Sequence, residues 1–123
     1  VLASSSATTE QKAKALLSMG KMQVNEGNHQ KSLAYFERVY VIYGKYRELV
    51  SQAYFLRGEA LEKLALLPQA YEVYAELVAR PDLETFPEVR KARKKLSELK
   101  QHAPPPSEGL NAEEAKANRK DAA

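Results

Sequence analysis

The sequence lacks cysteine and tryptophan and has only two histidines and two methionines among its 123 residues. Without cysteine, disulfide bonds and thiolate-ligated zinc are excluded. No stretch approaches the roughly 18 consecutive apolar residues that a membrane-spanning helix needs. The first residues, Val1 to Ser4, contain neither an initiator methionine nor a charged and then apolar signal segment. We therefore expect a fragment or a processed product whose compartment the sequence does not encode.

The usual motifs of catalysis are also missing. His29 and His102 have no second metal ligand three or four residues further on, which argues against a metal site. Glu59 and Glu62 lie one helical turn apart, but such pairs more often belong to a solvated or groove-lining face than to a pair of catalytic acids. There is no glycine-rich phosphate loop, nucleophile elbow or His-Glu-x-x-His motif. The sequence thus predicts a protein that is not an enzyme, without cofactor or small-molecule substrate.

The net charge of +3 is unevenly distributed along the chain. Residues 1–87 carry ten basic and ten acidic side chains, residues 88–100 carry six and two, and residues 101–123 carry three and four. The basic run from Arg90 to Lys95 would suit phosphate contacts in a nucleic-acid-binding domain. The apolar positions within the same segment, and its lack of an aromatic residue on which bases could stack, favour instead the solvated face of a terminal helix.

Apolar residues recur at helical spacing in five segments between residues 10 and 100, and none of these segments reads as a strand. Alanine is abundant, which favours closely packed helices over a thick aromatic core. The sequence therefore predicts an all-α fold. The five apolar stripes are Ala13, Leu16, Leu17, Gly20 and Val24; Leu33, Phe36, Tyr40 and Tyr43; Val50, Ala53, Tyr54, Leu61 and Leu64; Ala70, Tyr71, Tyr74, Leu77 and Val78; and Val89, Ala92, Leu96 and Leu99.

Capping residues give the expected helix ends. Thr8 and Gln11 have the spacing of a capping box, in which a hydroxyl and an amide satisfy free backbone donors at a helix start. Gly27 predicts a left-handed residue that ends the first helix. The remaining boundaries are expected at residues suited to helix starts and stops, namely Asn28, Gly44, Pro68 and Pro87.

Composition divides the chain into three parts. Residues 1–7 are small and polar and predict a flexible lead-in, and residues 8–100 hold the helical domain. Residues 101–123 start near a run of three prolines, which fix φ and cannot continue a helix, so we expect a disordered tail.

Two helix pairs come into register when Gly20 is aligned with Gly58. Close helix packing requires small residues at three places: where the two helices cross, at the turn, and early in the second helix. It also favours an aromatic residue four positions after the third small residue. The first unit reads Leu16, Met19, Gly20, Gly27, Ser32, Phe36 and Val39, and the second reads Tyr54, Arg57, Gly58, Ala65, Ala70, Tyr74 and Leu77.

These positions resemble the tetratricopeptide repeat family, whose unit is a helix–turn–helix of about 34 residues. The resemblance implies a right-handed superhelix of antiparallel helix pairs, with units at about 10–44 and 46–82 and a capping helix at 87–100. The extended units with a Tyr-Gly or Tyr-Pro closure are similar to those of bacterial cell-envelope proteins, such as outer-membrane assembly lipoproteins and the Tol–Pal cell-division coordinator. A periplasmic or envelope location is thus implied by the resemblance alone.

In the resembled family the first helix of each pair lines a concave groove, so the resemblance implies a partner-binding site. Phe55 is a candidate anchor there because it is a large aromatic residue away from the main stripe, although packing against the cap is an equal alternative. The lysines favour an acidic protein or peptide as the partner. The positions carried over are Lys14, Leu17 and Lys21; Gln52, Phe55 and Glu59; and Lys91, Lys94 and Glu98.

Three functions remain open at this point. The first is a non-catalytic interaction module that binds a partner segment in the groove. The second is an oligomerisation or structural domain of a larger envelope protein, with the aromatic residues of the second and fourth helices forming a self-interface. The third is a basic nucleic-acid-binding domain centred on Arg90 to Lys95.

Overall fold

A computed structural model describes residues 8–104, which form five α-helices and two short 3-10 turns. The helices are α1 (Thr9–Asn25), α2 (His29–Ile42), α3 (Arg47–Lys63), α4 (Leu67–Val78) and α5 (Pro87–Glu98), and the turns are Pro81–Leu83 and Lys100–His102. Residues 8–104 contain no strand, so the predicted all-α class is confirmed.

The second 3-10 turn carries the helical body two residues past the expected boundary at residue 100. It packs against α4 and α5, next to Leu99, which is buried in the core. The predicted lead-in at residues 1–7, and the predicted tail from residue 105 onward, lie outside the described residues.

The start of α1 has the predicted capping box. The Gln11 backbone N–H donates to Thr8 Oγ1, and the Thr8 backbone N–H donates to Gln11 Oε1, both at 3.0 Å. Asn28 precedes α2 as expected, but its side chain makes no capping hydrogen bond; its amide nitrogen donates to Gln23 Oε1 at 3.1 Å. Helix α2 ends at Ile42, and the Tyr43 N–H closes its last turn on the Val39 carbonyl at 3.0 Å, before Gly44 is reached.

The turns that close α1 and α3 have the same backbone conformation. Gly27 has a φ of 81°, as predicted for the residue that ends α1. Ala65, its equivalent in the second unit, has a φ of 61° and is the one non-glycine residue with positive φ in the described range. A side chain in this left-handed region costs about 1–2 kcal/mol, so the second turn is conformationally strained.

We expect Ala65→Gly to raise the free energy of unfolding by about 0.5–1 kcal/mol, because relief of the strain exceeds the extra entropy that glycine loses on folding. Ala65 is exposed, so no packing is lost. Gly27→Ala is the reciprocal control: its new Cβ would meet no atom within 4 Å, yet it should lower stability by a similar amount. Urea unfolding of both variants measures this, and a destabilised Ala65→Gly would contradict it.

Each helix packs against the next one along the chain. In addition α1 contacts α3, and α3 contacts α5. These three helices therefore form a row, with α2 packed against α1 and α3, and α4 packed against α3 and α5.

In each helix pair, a glycine of the first helix lies directly against an aromatic ring of the second. A Cβ built on Gly20 would lie 2.7 Å from Cδ1 of Phe36, and one built on Gly58 would lie 2.6 Å from Cζ of Tyr74. Phe36 and Tyr74 are both fully buried. The two glycines and the two rings are equivalent in the alignment of the units, so the positions aligned in the sequence make the same contact twice.

Two apolar clusters form around these rings. One surrounds Phe36 between α1, α2 and α3, and the other surrounds Tyr74 between α3, α4 and α5. The second cluster includes Leu83, which is fully buried although its 3-10 turn belongs to no predicted stripe.

We expect Gly20→Ala and Gly58→Ala each to destabilise the fold, since overpacking costs about 1–3 kcal/mol and the gain in helix propensity returns only about 1 kcal/mol. Gly44→Ala is the matched control, because its Cβ would lie 3.4 Å from the Tyr40 carbonyl oxygen, an ordinary contact distance. Thermal unfolding compares the three variants. Equal melting temperatures for Gly44→Ala and Gly20→Ala would contradict the proposed crowding.

Candidate functional site

A groove follows the solvent-facing side of α3, between α1 and α5. It consists of two adjoining depressions of about 440 and about 150 Å³ that share Leu56. The lining residues are Lys21 and Val24 from α1; Gln52, Phe55, Leu56, Glu59, Ala60, Glu62 and Lys63 from α3; and Glu88, Lys91 and Lys95 from α5.

Five of the residues predicted from the resemblance line this groove, namely Lys21, Gln52, Phe55, Glu59 and Lys91. The other four predicted positions lie elsewhere. Leu17 is only 4% exposed because it packs into the cluster around Phe36. Lys14 lines a separate depression near Tyr46, and Lys94 is exposed on α5 without lining the groove; Glu98 is likewise exposed.

Phe55 forms part of the floor and is only 8% exposed. Its ring centroid lies 5.5 Å from that of Tyr74 on α4, and the Lys91 ammonium from α5 lies 5.7 Å from the Phe55 centroid. This is the geometry of a cation–π contact. Phe55 thus packs against both α4 and α5, and Lys91 covers it from the groove.

Glu62 connects the floor of the groove to both neighbouring helices. The Tyr74 hydroxyl donates to Glu62 Oε2 at 2.5 Å, and Lys95 Nζ lies 3.2 Å from the same oxygen. Burial raises the pKa of Tyr74 well above its usual value, and the hydrogen bond to Glu62 raises this pKa further. The phenol therefore stays protonated as a donor, and one carboxylate joins α3, α4 and α5.

The other charges leave the groove with an excess of lysine. The Ser51 hydroxyl, which donates to the Glu48 carbonyl at 2.9 Å, also lies 3.3 Å from Glu88 Oε1. With Glu62 engaged by Lys95, the remaining charges of the groove are the ammonium groups of Lys21, Lys63 and Lys91 and the carboxylates of Glu59 and Glu88. The groove therefore combines an apolar strip, formed by Val24 and Leu56, with a charged rim in which lysines exceed carboxylates by one.

Leu56, Lys63 and Lys95 were not among the residues assigned from the sequence. Helical spacing could have found the first two, because residues 52, 56, 59 and 63 fall on one side of α3. The pairing of Lys95 with Glu62 joins residues on different helices, and no local pattern in the sequence signals it.

The basic run on α5 is divided between two faces. Arg90, Arg93 and Lys94 are exposed, whereas Lys95 is half-buried in its ion pair with Glu62. Of the aromatic residues suggested for a self-interface, Phe36 and Tyr74 are fully buried, and Tyr40 stacks on Tyr54 with 3.8 Å between ring centroids. Tyr35 and Tyr71 are half-buried.

Within residues 8–104, no group of three or more histidine, aspartate or glutamate side chains is placed to hold a metal ion. None of the helices described above is both long and apolar enough to cross a bilayer.

Comparisons with known proteins were made by sequence and by structure. A scan against models of protein families, a search of curated proteins and a search of solved structures each found no match.

We expect Glu62→Ala to lower the free energy of unfolding by about 1–3 kcal/mol, because the buried Tyr74 hydroxyl would lose its acceptor. Glu59→Ala is the matched control: it lies one turn earlier on the same helix and lines the same groove, and its loss should change stability by less than about 0.5 kcal/mol. Urea unfolding of the two variants, together with Tyr74→Phe and the Glu62→Ala/Tyr74→Phe double variant, measures the coupling. Additive effects of the two substitutions would contradict it.

Proposed function

We propose that this chain is a non-catalytic protein-binding module that holds a segment of a partner protein in the groove between α1 and α5. The observation that carries this proposal is the groove itself, where an apolar strip formed by Val24 and Leu56 lies between lysines from two facing helices. Protein-binding sites commonly combine an apolar centre with a polar rim.

We further propose that the helices belong to a tetratricopeptide-type superhelix of two units and a cap. The repeated contact of Gly20 with Phe36, and of Gly58 with Tyr74, supports a translation of one hairpin onto the next. Helix α5 would be the cap, because Val89 and Ala92 are fully buried while Arg90 and Arg93 are exposed. In helical repeat proteins, terminal repeats with a polar outer face cover the apolar end of the stack.

The groove suits binding because its walls are held in place before a partner arrives. The hydrogen bonds and ion pair of Glu62 join the floor to α5, and the packing of α3 against α1 positions the opposite wall. A rigid site loses little conformational entropy on binding, so more of the contact energy appears as affinity.

The partner that fits best is an acidic segment with aliphatic side chains. Lys21 and Lys91 approach the same depression from opposite walls, and the two ammonium groups outnumber the one carboxylate there, that of Glu88, so a carboxylate of the partner between the lysines would be attracted to both. The aliphatic side chains would lie on Val24 and Leu56. The proposed envelope location rests only on the family resemblance.

Lysine substitutions test this groove better than removal of Phe55. Phe55 is a core residue, and truncating a buried phenylalanine costs about 3–5 kcal/mol of stability. A loss of binding after Phe55→Ala would therefore be confounded with a loss of fold.

We expect a displayed library of random 12-residue peptides, selected on the intact chain, to yield sequences rich in acidic and aliphatic residues. The dissociation constant of the selected peptides should rise at least tenfold, about 1.4 kcal/mol, in the Lys21→Glu/Lys91→Glu variant. Fluorescence anisotropy with labelled peptides measures this, and circular dichroism verifies that the variant remains helical.

Lys31→Glu/Lys100→Glu is the matched control, since it makes the same charge change at exposed lysines that do not line the groove. It should leave the dissociation constants within about twofold. Equally weakened peptide binding in both variants would indicate general electrostatic attraction and contradict binding in the groove. Nucleic-acid binding would replace this proposal if two results were found together. The library would yield no peptide, and the chain would bind single-stranded DNA in a salt-dependent way that Arg90→Glu/Arg93→Glu abolishes.

A further inference from the structure

The part of the chain that follows the described residues starts near the groove. Pro104 is the last described residue, and it follows the turn Lys100–His102, which packs against α4 and α5. Lys95, which lines the groove, precedes Pro104 by nine residues, several of which are coiled in α5 and in this turn. Because helical steps are short, the Cα atoms of Lys95 and Pro104 are at most about 25 Å apart.

A segment shortly after Pro104 has the composition that the groove favours. Residues 108–114, called the acidic segment here, contain three carboxylates, the aliphatic side chain of Leu110 and no basic residue. Residues 1–7, the other part of the chain outside the described range, contain no charged side chain. Of these two parts, only the one after Pro104 carries the acidic and aliphatic side chains expected of a groove ligand.

The chain between Pro104 and the acidic segment is long enough to enter the groove. Leu110 and Glu114 follow Pro104 by six and ten residues. Chains of these lengths span at most about 20 and 35 Å. The segment can therefore reach the depression that Lys95 lines, and its later residues can extend along the groove towards Lys21 and Lys91.

We propose that the acidic segment occupies the groove of its own chain and competes there with the partner. Leu110 lies on the apolar strip, and the carboxylates of Glu113 and Glu114 lie near the ammonium groups of Lys21 and Lys91. This inference rests on the proposed function, because it assigns a regulator to the same groove.

Attachment to the same chain makes a weak interaction sufficient for this competition. A short tether gives the segment an effective concentration of about 1 mM at the groove. A segment with a dissociation constant of about 0.1 mM would then fill about nine grooves in ten. The apparent dissociation constant of a partner rises by the inverse of the open fraction, which is about tenfold.

The variant Leu110→Ser/Glu113→Gln/Glu114→Gln of the full chain removes the groove-binding groups of the segment. The library-selected peptides should bind it with a dissociation constant about tenfold lower than that of the parent chain, measured by fluorescence anisotropy. Glu84→Gln/Asp121→Asn is the matched control, because it removes two carboxylates outside the acidic segment, and Glu84 is exposed away from the groove. It should leave the constants within about twofold.

Carbodiimide coupling of carboxylates to lysines gives a readout that needs no added peptide. In the monomer fraction, mass spectrometry should find the acidic segment coupled to Lys21 or Lys91 more often than to Lys31, which is exposed on α2 outside the groove. Leu110→Ser should reduce these couplings to the level found at Lys31. The Glu62–Lys95 pair, at 3.2 Å, should couple in both chains and serves as the internal control.

The possible failures can be told apart. Coupling at Lys31 as often as at Lys21 would overturn the proposal, and so would coupling confined to a dimer fraction, because a second copy would then supply the segment. Peptides that bind the parent chain and the triple variant equally would overturn the competition and leave the proposed function standing. Groove couplings without any peptide binding to the triple variant would overturn both.

Discussion

The helices of each pair cross closely at Gly20 and at Gly58, and the remaining helix packing follows from these two crossings. Only a residue without a side chain lets the Phe36 and Tyr74 rings lie directly against the facing backbone. This contact sets how near the two helices of a pair approach each other. Helix α1 also packs against α3, and α3 packs against α5. The glycine–aromatic contacts therefore also affect the spacing of α1, α3 and α5. The width of the groove is a consequence of that spacing.

Tyr74 links this packing constraint to the chemistry of the groove. Its ring occupies the space at Gly58, and its hydroxyl reaches Glu62, which in turn pairs with Lys95. One carboxylate that could have been a free groove charge is thereby used to hold α5 in place. The electrostatic character of the groove follows, since the lysines that remain outnumber the available carboxylates.

Much of the fold follows from local sequence signals. The capping box at Thr8 and the left-handed turn at Gly27 depend on residues only a few positions apart, and helical periodicity gives the all-α class. The strained turn at Ala65 could not be predicted from its residue type, because alanine disfavours positive φ. It becomes understandable only through its equivalence with Gly27, where packing of the second hairpin requires the same turn.

The sequence also predicted part of the groove lining, but not the contacts that depend on how the helices pack. Lys21, Gln52, Phe55, Glu59 and Lys91 were implied by the resemblance to the tetratricopeptide repeat family, and all five line the groove. Leu17 has the same register on α1 yet is buried, because it turns into the cluster around Phe36. The pair of Glu62 and Lys95 depends on how α5 is placed over α3, which is a tertiary property.

The row of helices also explains why two different surfaces remain available on α1. Helix α3, in the middle of the row, has neighbours on both sides. Helix α1 has a following hairpin in the described residues, but nothing there precedes it. Its groove side, which carries Lys21, and its outer side, which carries Lys12, Met19 and Met22, are therefore both exposed. The outer side of α1 stays exposed because no other helix of residues 8–104 packs against it.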